Sequence, residues 1–94
     1  MYKVELAKSL KKDFKKITNE VKNLIFERWI PNLQQDPHIG ERMKGPIMKK
    51  FWKLAFRYKK NDYRIVYEIK ESKILIVVIA VGSRENFYKR FKGN

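Results

Sequence analysis

Two periods divide this chain. From Leu10 to Trp29 the apolar positions recur every three or four residues; from Phe51 to Lys70 they alternate with polar ones. Leu10, Phe14 and Ile17 form one helical stripe, with Ser9 placed to cap it. Val21, Leu24, Ile25, Arg28 and Trp29 keep that spacing in a second helix, for which Asn19 is the expected cap. Pro31 is expected to end or kink the second helix near Ile30, because proline has no N–H and crowds the preceding turn. The lysines of both segments fall mostly off the stripes, so the pair reads as a helical hairpin with one apolar face.

Before the hairpin, Tyr2 to Leu6 alternates and reads as a short strand. After it, Gln34 to Pro46 reads as loop, broken by Asp36-Pro37, Gly40 and Gly45-Pro46. In Phe51 to Tyr58, Trp52, Leu54, Phe56 and Tyr58 share one face, and Lys53, Ala55 and Arg57 share the other. Lys59 to Asp62 supplies a hairpin turn. In Tyr63 to Lys70, Tyr63, Ile65, Tyr67 and Ile69 oppose Arg64, Val66 and Glu68. Glu71-Ser72 makes a second tight turn. Ile74 to Val81 is apolar on both faces, as a central strand would be, and Gly82 is expected to end it. Arg84 to Lys92 reads as a short C-terminal helix.

These elements predict an α+β fold: an N-terminal strand and a helical hairpin packed on a small, mainly antiparallel sheet, with a short helix at the end. At 94 residues, with 44% of them apolar, residues 1–94 are expected to form a single domain with a thin core. No cysteine is present, which excludes a disulfide framework and a cysteine-based zinc site. The eight apolar residues Ile74 to Val81 are too few to span a membrane, and Met1 to Val4 opens a strand, not a signal peptide. A cytoplasmic protein without membrane contact is the expectation.

Charge sharpens the picture. Lys and Arg number 23 against 10 Asp and Glu, a net +13. A solubility surface needs a net charge of only roughly 2 to 8 in magnitude, so the excess points to a polyanionic partner, nucleic acid above all. Strand alternation gathers part of this charge on the sheet face away from the helices. Lys53 and Arg64 lie there around the small Ala55 and Val66, with Arg57 beside them and Arg84 just past the last strand. A helical turn after Arg84 brings Tyr88 to the rim, a ring on which an unpaired base could stack. Plainer readings exist for each. Arg64 could pair with Glu68, Arg84 could cap an element with Glu85 as partner, and Phe87 and Tyr88 could be core. Tyr63 and Tyr67 read as core rings on the helix side. His38 is the sole histidine, with no second metal ligand near it, and no phosphate-binding glycine loop, nucleophile elbow or carboxylate dyad stands out.

Residues 43 to 88, MKGPIMKKFWKLAFRYKKNDYRIVYEIKESKILIVVIAVGSRENFY, resemble the RelE/ParE superfamily of bacterial and archaeal toxins. The marks are MKG before the first meander strand, then WKLAFR, DYRIVYEI and VIAVGSRENFY, and the preceding hairpin fits as well. The resemblance implies the toxin of a type II toxin–antitoxin system. In the RelE branch it implies an endoribonuclease that enters the A site of the 70S ribosome, cuts mRNA there and thereby stops translation, and that is restrained by an antitoxin. That branch uses a lysine of the first meander strand, the arginine of the YR motif, the arginine of the GxRE motif and a C-terminal tyrosine, which match Lys53, Arg64, Arg84 and Tyr88. Lys49, Lys50, Arg57, Lys89 and Arg90 are the surrounding cations expected to contact RNA. Some members carry a second lysine two residues after the first; here it is Ala55.

The reaction so implied is attack of a ribose 2′-OH on the adjacent phosphate, leaving a 2′,3′-cyclic phosphate and a 5′-OH, with no cofactor or metal required. Lys53 is the expected base; to serve, it must shed its proton, which the cations around it favour. Arg64 would clamp the phosphate oxygens, Arg84 would stabilise the leaving oxygen, and Tyr88 would stack on or orient a base. The site lacks a strong acid–base pair, so positioning by the ribosome would carry much of the catalysis, and cleavage of free RNA is expected to be weak. The charge also predicts an acidic, partly disordered antitoxin with an amphipathic segment. Two other readings compete: the ParE branch, which shares the fold and poisons DNA gyrase but generally lacks the cationic set, and a non-catalytic module that binds ribosomal RNA.

Overall fold

The computed structural model describes residues 1–46 and 48–83. Strand β1 (Lys3–Leu6) leads to helix α1 (Leu10–Phe14). Helix α2 (Asn19–Leu24), a π-helical turn (Ile25–Trp29) and helix α3 (Ile30–Gln35) follow without a break. Strands β2 (Glu41–Arg42), β3 (Phe51–Tyr58), β4 (Asn61–Lys70) and β5 (Leu75–Ser83) complete one sheet in the order β1-β5-β4-β3-β2. All neighbours are antiparallel except β1, which runs parallel to β5 with Lys3 opposite Leu75. The α+β expectation holds, and the sheet is mixed.

The helical hairpin covers one sheet face. Leu10, Val21, Ile25 and Leu33 bury against Leu54, Phe56, Ile65, Tyr67, Ile76 and Val78. Burying a side chain of this size fully stabilises by about 1.5–3 kcal/mol. The ring of Phe56 stacks between Trp29 and Tyr63, with centroids 5.3 and 5.6 Å away. Tyr63 and Tyr67 are core rings, as alternation predicts. A smaller cluster occupies the opposite face, where Val66 and Ala80 are buried with Met43, Phe51 and Ile79 around them. β5 has neighbours on both sides and apolar contacts on both faces, hence its unbroken apolar run.

Several local expectations are corrected. Thr18, not Asn19, caps α2: its backbone is extended and its Oγ1 accepts from the Val21 N–H at 3.2 Å. The helix does not stop at Ile30 but runs through Pro31 to Gln35. The π turn just before it, in which the Ile30 N–H reaches back five residues to the Ile25 carbonyl, is a recognised way to relieve the crowding a proline ring causes. The presumed loop holds the end of α3, a 3-10 turn at Pro37–Ile39 and the two-residue strand β2. The second turn is a 3-10 turn, Glu71–Lys73, closed by Ile74 at φ 49°, so β5 starts at Leu75. It continues through Gly82 to Ser83, because Gly82 and Ser83 still pair with Arg64 and Tyr63. The helix expected over Arg84 to Lys92 lies outside the described residues.

Helix α1 has a second task. β1 leaves β5 after Leu6, and the register of β5 slips at Ile79, where Val66 pairs with Ala80 and Tyr67 with Val78. The outer edge of β5 is then served by side chains. The Ser9 hydroxyl donates to the Ile79 carbonyl at 3.2 Å, and the Asp13 carboxylate accepts from the Val81 N–H at 3.1 Å. Asp13 is 8% exposed. Removing it strands a buried N–H, so Asp13→Ala is expected to cost about 1–3 kcal/mol, read as a lower urea midpoint. Asp13→Asn keeps an acceptor oxygen and should recover most of the loss.

Candidate functional site

β3 and β4 are in a register that sets Lys53 opposite Val66, Ala55 opposite Arg64 and Arg57 opposite Asp62. Paired residues point to the same face, so Lys53, Ala55 and Arg64 share the face away from the helical hairpin. Two small neighbours leave room around Arg64: Ala55 on one side and Gly82 on the other. Lys53, Leu54, Ala55 and Arg64, with Ile39, Gly40 and Glu41, line a pocket of about 170 Å³. It forms where the chain of β2 parts from the edge of β3. Lys53 and Arg64 are half-buried, and the Arg64 Nε is enclosed. Two cationic residues therefore line one small concavity, a form suited to a phosphate.

The other sequence candidates are spread more widely. Arg57 is exposed at the hairpin end, one pair beyond the pocket. Lys49 and Lys50 sit at the opposite end of β3. The Lys49 carbonyl accepts from Arg42 Nε at 2.8 Å, and the Lys50 ammonium lies 5.1 Å above the Phe51 ring. None of the three lines the pocket. Arg84, Tyr88, Lys89 and Arg90 lie outside the described residues.

Two pocket residues escaped the sequence reading. Glu41 stands directly across the β2–β3 ladder from Lys53 and lines the exposed rim of the pocket, the one acidic residue among its walls. A two-residue strand has no period to betray it. Gly40 is the second. A Cβ there would come within 2.6 Å of the Lys53 carbonyl oxygen, and closer still to the Tyr67 hydroxyl. That hydroxyl is fully buried and donates to the Pro37 carbonyl at 2.5 Å; burial pushes its pKa up to about 12, so it remains a donor throughout the neutral range. Tyr67 thus pins the pocket wall from the core side.

His38 is structural. Its Nε2 lies 2.8 Å from Glu71, its backbone N–H donates to Asp36 at 3.0 Å, and its ring meets Trp52 edge-on at 5.3 Å. Glu71 also accepts from the Tyr2 hydroxyl at 2.8 Å, a bond that raises the pKa of Tyr2. On the hairpin side, the Tyr58 hydroxyl donates to Glu20 at 2.6 Å, which holds the Glu20 carboxyl below its usual range and raises Tyr58. Among the described residues, no cluster of His, Asp and Glu is able to hold a metal ion, and no helix is long and apolar enough to cross a membrane.

The architecture is that of the RelE toxin fold. A mutant of the E. coli toxin RelE in complex with a peptide of the antitoxin RelBc superposes with a TM-score of 0.70 at 22% identity, over 95% of this chain and 92% of that one. The isolated E. coli RelE toxin gives 0.69 at 21% identity, over 99% and 98%. The RelBE2 toxin–antitoxin complex of Mycobacterium tuberculosis gives 0.72 at 19%, over 88% and 98%. The chain itself belongs to the family of ParE-like toxins of type II bacterial toxin–antitoxin systems, matched over residues 4–92. No curated protein sequence matches it significantly.

Proposed function

We propose that this toxin is a ribosome-dependent endoribonuclease that cuts mRNA in the A site and so stops translation. The observation that carries the reading is a pocket that Lys53, Arg64 and Glu41 line together. A ribose 2′-OH attacks the adjacent phosphorus, and the bond to the 5′ oxygen breaks. A 2′,3′-cyclic phosphate and a 5′-OH result. Arg64 offers a planar fork to the phosphate oxygens as charge builds on them. Glu41 changes the assignment of the base. A carboxylate is an acceptor at neutral pH where an ordinary lysine is not, so Glu41 takes the 2′-OH proton and the Lys53 ammonium steadies the phosphate. Arg84 and Tyr88 are assigned, from the sequence pattern and the resemblance, to the leaving oxygen and the stacked base. The ribosome holds the message in attack geometry, a contribution of about 7–11 kcal/mol where alignment is good.

An acidic antitoxin restrains the toxin in this reading. Support comes from the net +13 and from the solved relatives of the same fold that hold an antitoxin. The family's ParE name raises gyrase poisoning as the alternative; the Lys53–Arg64 pocket favours RNA, since a gyrase poison needs no phosphate-clamping cleft.

The test is primer extension on a defined message in a reconstituted cytoplasmic translation system, with and without ribosomes. Wild-type protein should cut only with ribosomes, within the A-site codon. Lys53→Ala and Glu41→Gln should each cut about 10²–10⁴-fold more slowly, and Arg84→Ala should lose cleavage while still binding ribosomes. Wild-type cutting rates in Glu41→Gln would return the proton to Lys53. An absence of cuts in every condition, with inhibition of gyrase supercoiling, would replace the reading with the ParE one.

A further inference from the structure

The segment Lys8 to Lys16 carries Lys8, Lys11, Lys12, Lys15 and Lys16, a spacing of three, one, three and one that sets all five on one helical face. Turns extend α1 at both ends: the Lys11 N–H bonds the Lys8 carbonyl and the Lys16 N–H bonds the Asp13 carbonyl, and Ser9 and Lys15 keep right-handed helical dihedrals. All five lysines are exposed. Among the described residues none of them makes an ion pair. Asp13, the one acid within the segment, is turned inward onto Val81. Lysines spaced three and four apart repel one another, and among the described residues no ion pair offsets that repulsion.

The lysine face itself carries no apolar side chain. Leu10 is buried, and the half-buried Phe14 ring lies off that face, with the Phe26 ring 5.3 Å away and the Lys22 ammonium at 5.4 Å. A protein partner of useful affinity draws on apolar or aromatic anchors, and a single-stranded nucleic acid on rings to stack on. A row of bare ammonium groups suits repeated phosphates whose bases are hidden, as in a double helix.

We propose that the Lys8–Lys16 face of α1 docks on the phosphate backbone of double-helical RNA, separately from the strand held at Lys53 and Arg64. Ser9 and Asp13 tie α1 to β5 at Ile79 and Val81, next to Gly82, the pairing partner of Arg64. A duplex on this face therefore lies along the β5 edge of the sheet, and the pocket opens from the β3 side. The inference rests on RNA being the target of the chain.

The test measures binding of a labelled RNA duplex of about 20 base pairs, of arbitrary sequence, across a range of salt. The combined variant Lys11→Gln, Lys12→Gln, Lys15→Gln, Lys16→Gln is expected to bind about tenfold or more weakly at low salt. Its slope of log affinity against log salt should be shallower by about 3 to 4, near one unit per lost contact. Replacing the same four lysines with arginine should preserve affinity and slope. Relief of like-charge repulsion should keep the thermal midpoint of the glutamine variant at or above wild type, so lost binding is not lost folding. Lys73 is an exposed lysine at the end of β5 away from α1; Lys73→Gln should bind the duplex nearly as wild type does, and this comparison stands even if the cleavage reading fails. Equal duplex affinity and slope in wild type and the glutamine variant would overturn the inference. So would a variant that loses binding to a poly-glutamate peptide but keeps the duplex, since the face would then serve an acidic protein.

Discussion

Replacing Arg64 with alanine is expected to slow ribosome-dependent cleavage by about 10²–10³-fold, the usual cost of deleting one preorganised donor to a transition-state anion. The geometry explains why a neighbour will not compensate. Ala55 and Gly82 flank Arg64 across both ladders, so the adjacent pairing positions offer no second cation. Arg57 lies one pair further along, exposed at the hairpin end. Arg64→Lys keeps the charge and loses the fork, so it should recover only part of the rate. Primer extension at saturating ribosomes separates this from weaker binding. A variant that cuts at the wild-type rate would remove Arg64 from the chemistry.

The second large effect is structural and falls on Gly40. Gly40→Ala would drive a methyl group toward the Lys53 carbonyl and the buried Tyr67 hydroxyl. The first is backbone of β3 and the second is bonded to Pro37, so neither yields by a rotamer change. Overpacking of this kind costs about 1–3 kcal/mol and occasionally more; an effect at or above the top of that range is expected, read as a lower denaturation midpoint. Cleavage should fall beyond what the lost folded fraction explains, because the displaced atoms carry Lys53. Tyr67→Phe removes the hydroxyl and should partly relieve the clash when combined with Gly40→Ala.

Gly40 and Glu41 also show where sequence reading runs out. β3 and β4 were legible because only one face of each meets the hairpin, and the contrast writes itself as alternation from Trp52 to Ile69. That alternation placed Lys53 and Arg64 together without any structure. β5 is apolar on both faces, so its register slip at Ile79 leaves no trace in composition. β2 pairs only two residues, too few for a period, and the carboxylate it delivers stayed hidden with it. Pro31 reads as an end or a kink because an α-helix cannot hold its ring unstrained; a π turn just before it lets the helix continue to Gln35. Asp13 did leave a signal: it occupies an inward position of the stripe Leu10, Phe14 and Ile17, where an acid needs a buried partner. Arg84 and Tyr88 lie outside the described residues and stand on the sequence pattern and the motif resemblance.

The pairing of β1 with β5 has a consequence for how the toxin comes into being. Chains are made from the amino end, and the partners of β1, Ala7 and Ser9 lie about seventy residues downstream. Until β5 leaves the ribosome, β1 has no neighbour and the hairpin's apolar face has no complete sheet to cover. Contacts this distant in sequence form slowly. The pocket wall at Gly82 belongs to the same late strand. A growing chain of this toxin therefore completes neither its sheet nor its pocket wall until β5 has been made, so the fold itself sets the order in which the molecule matures.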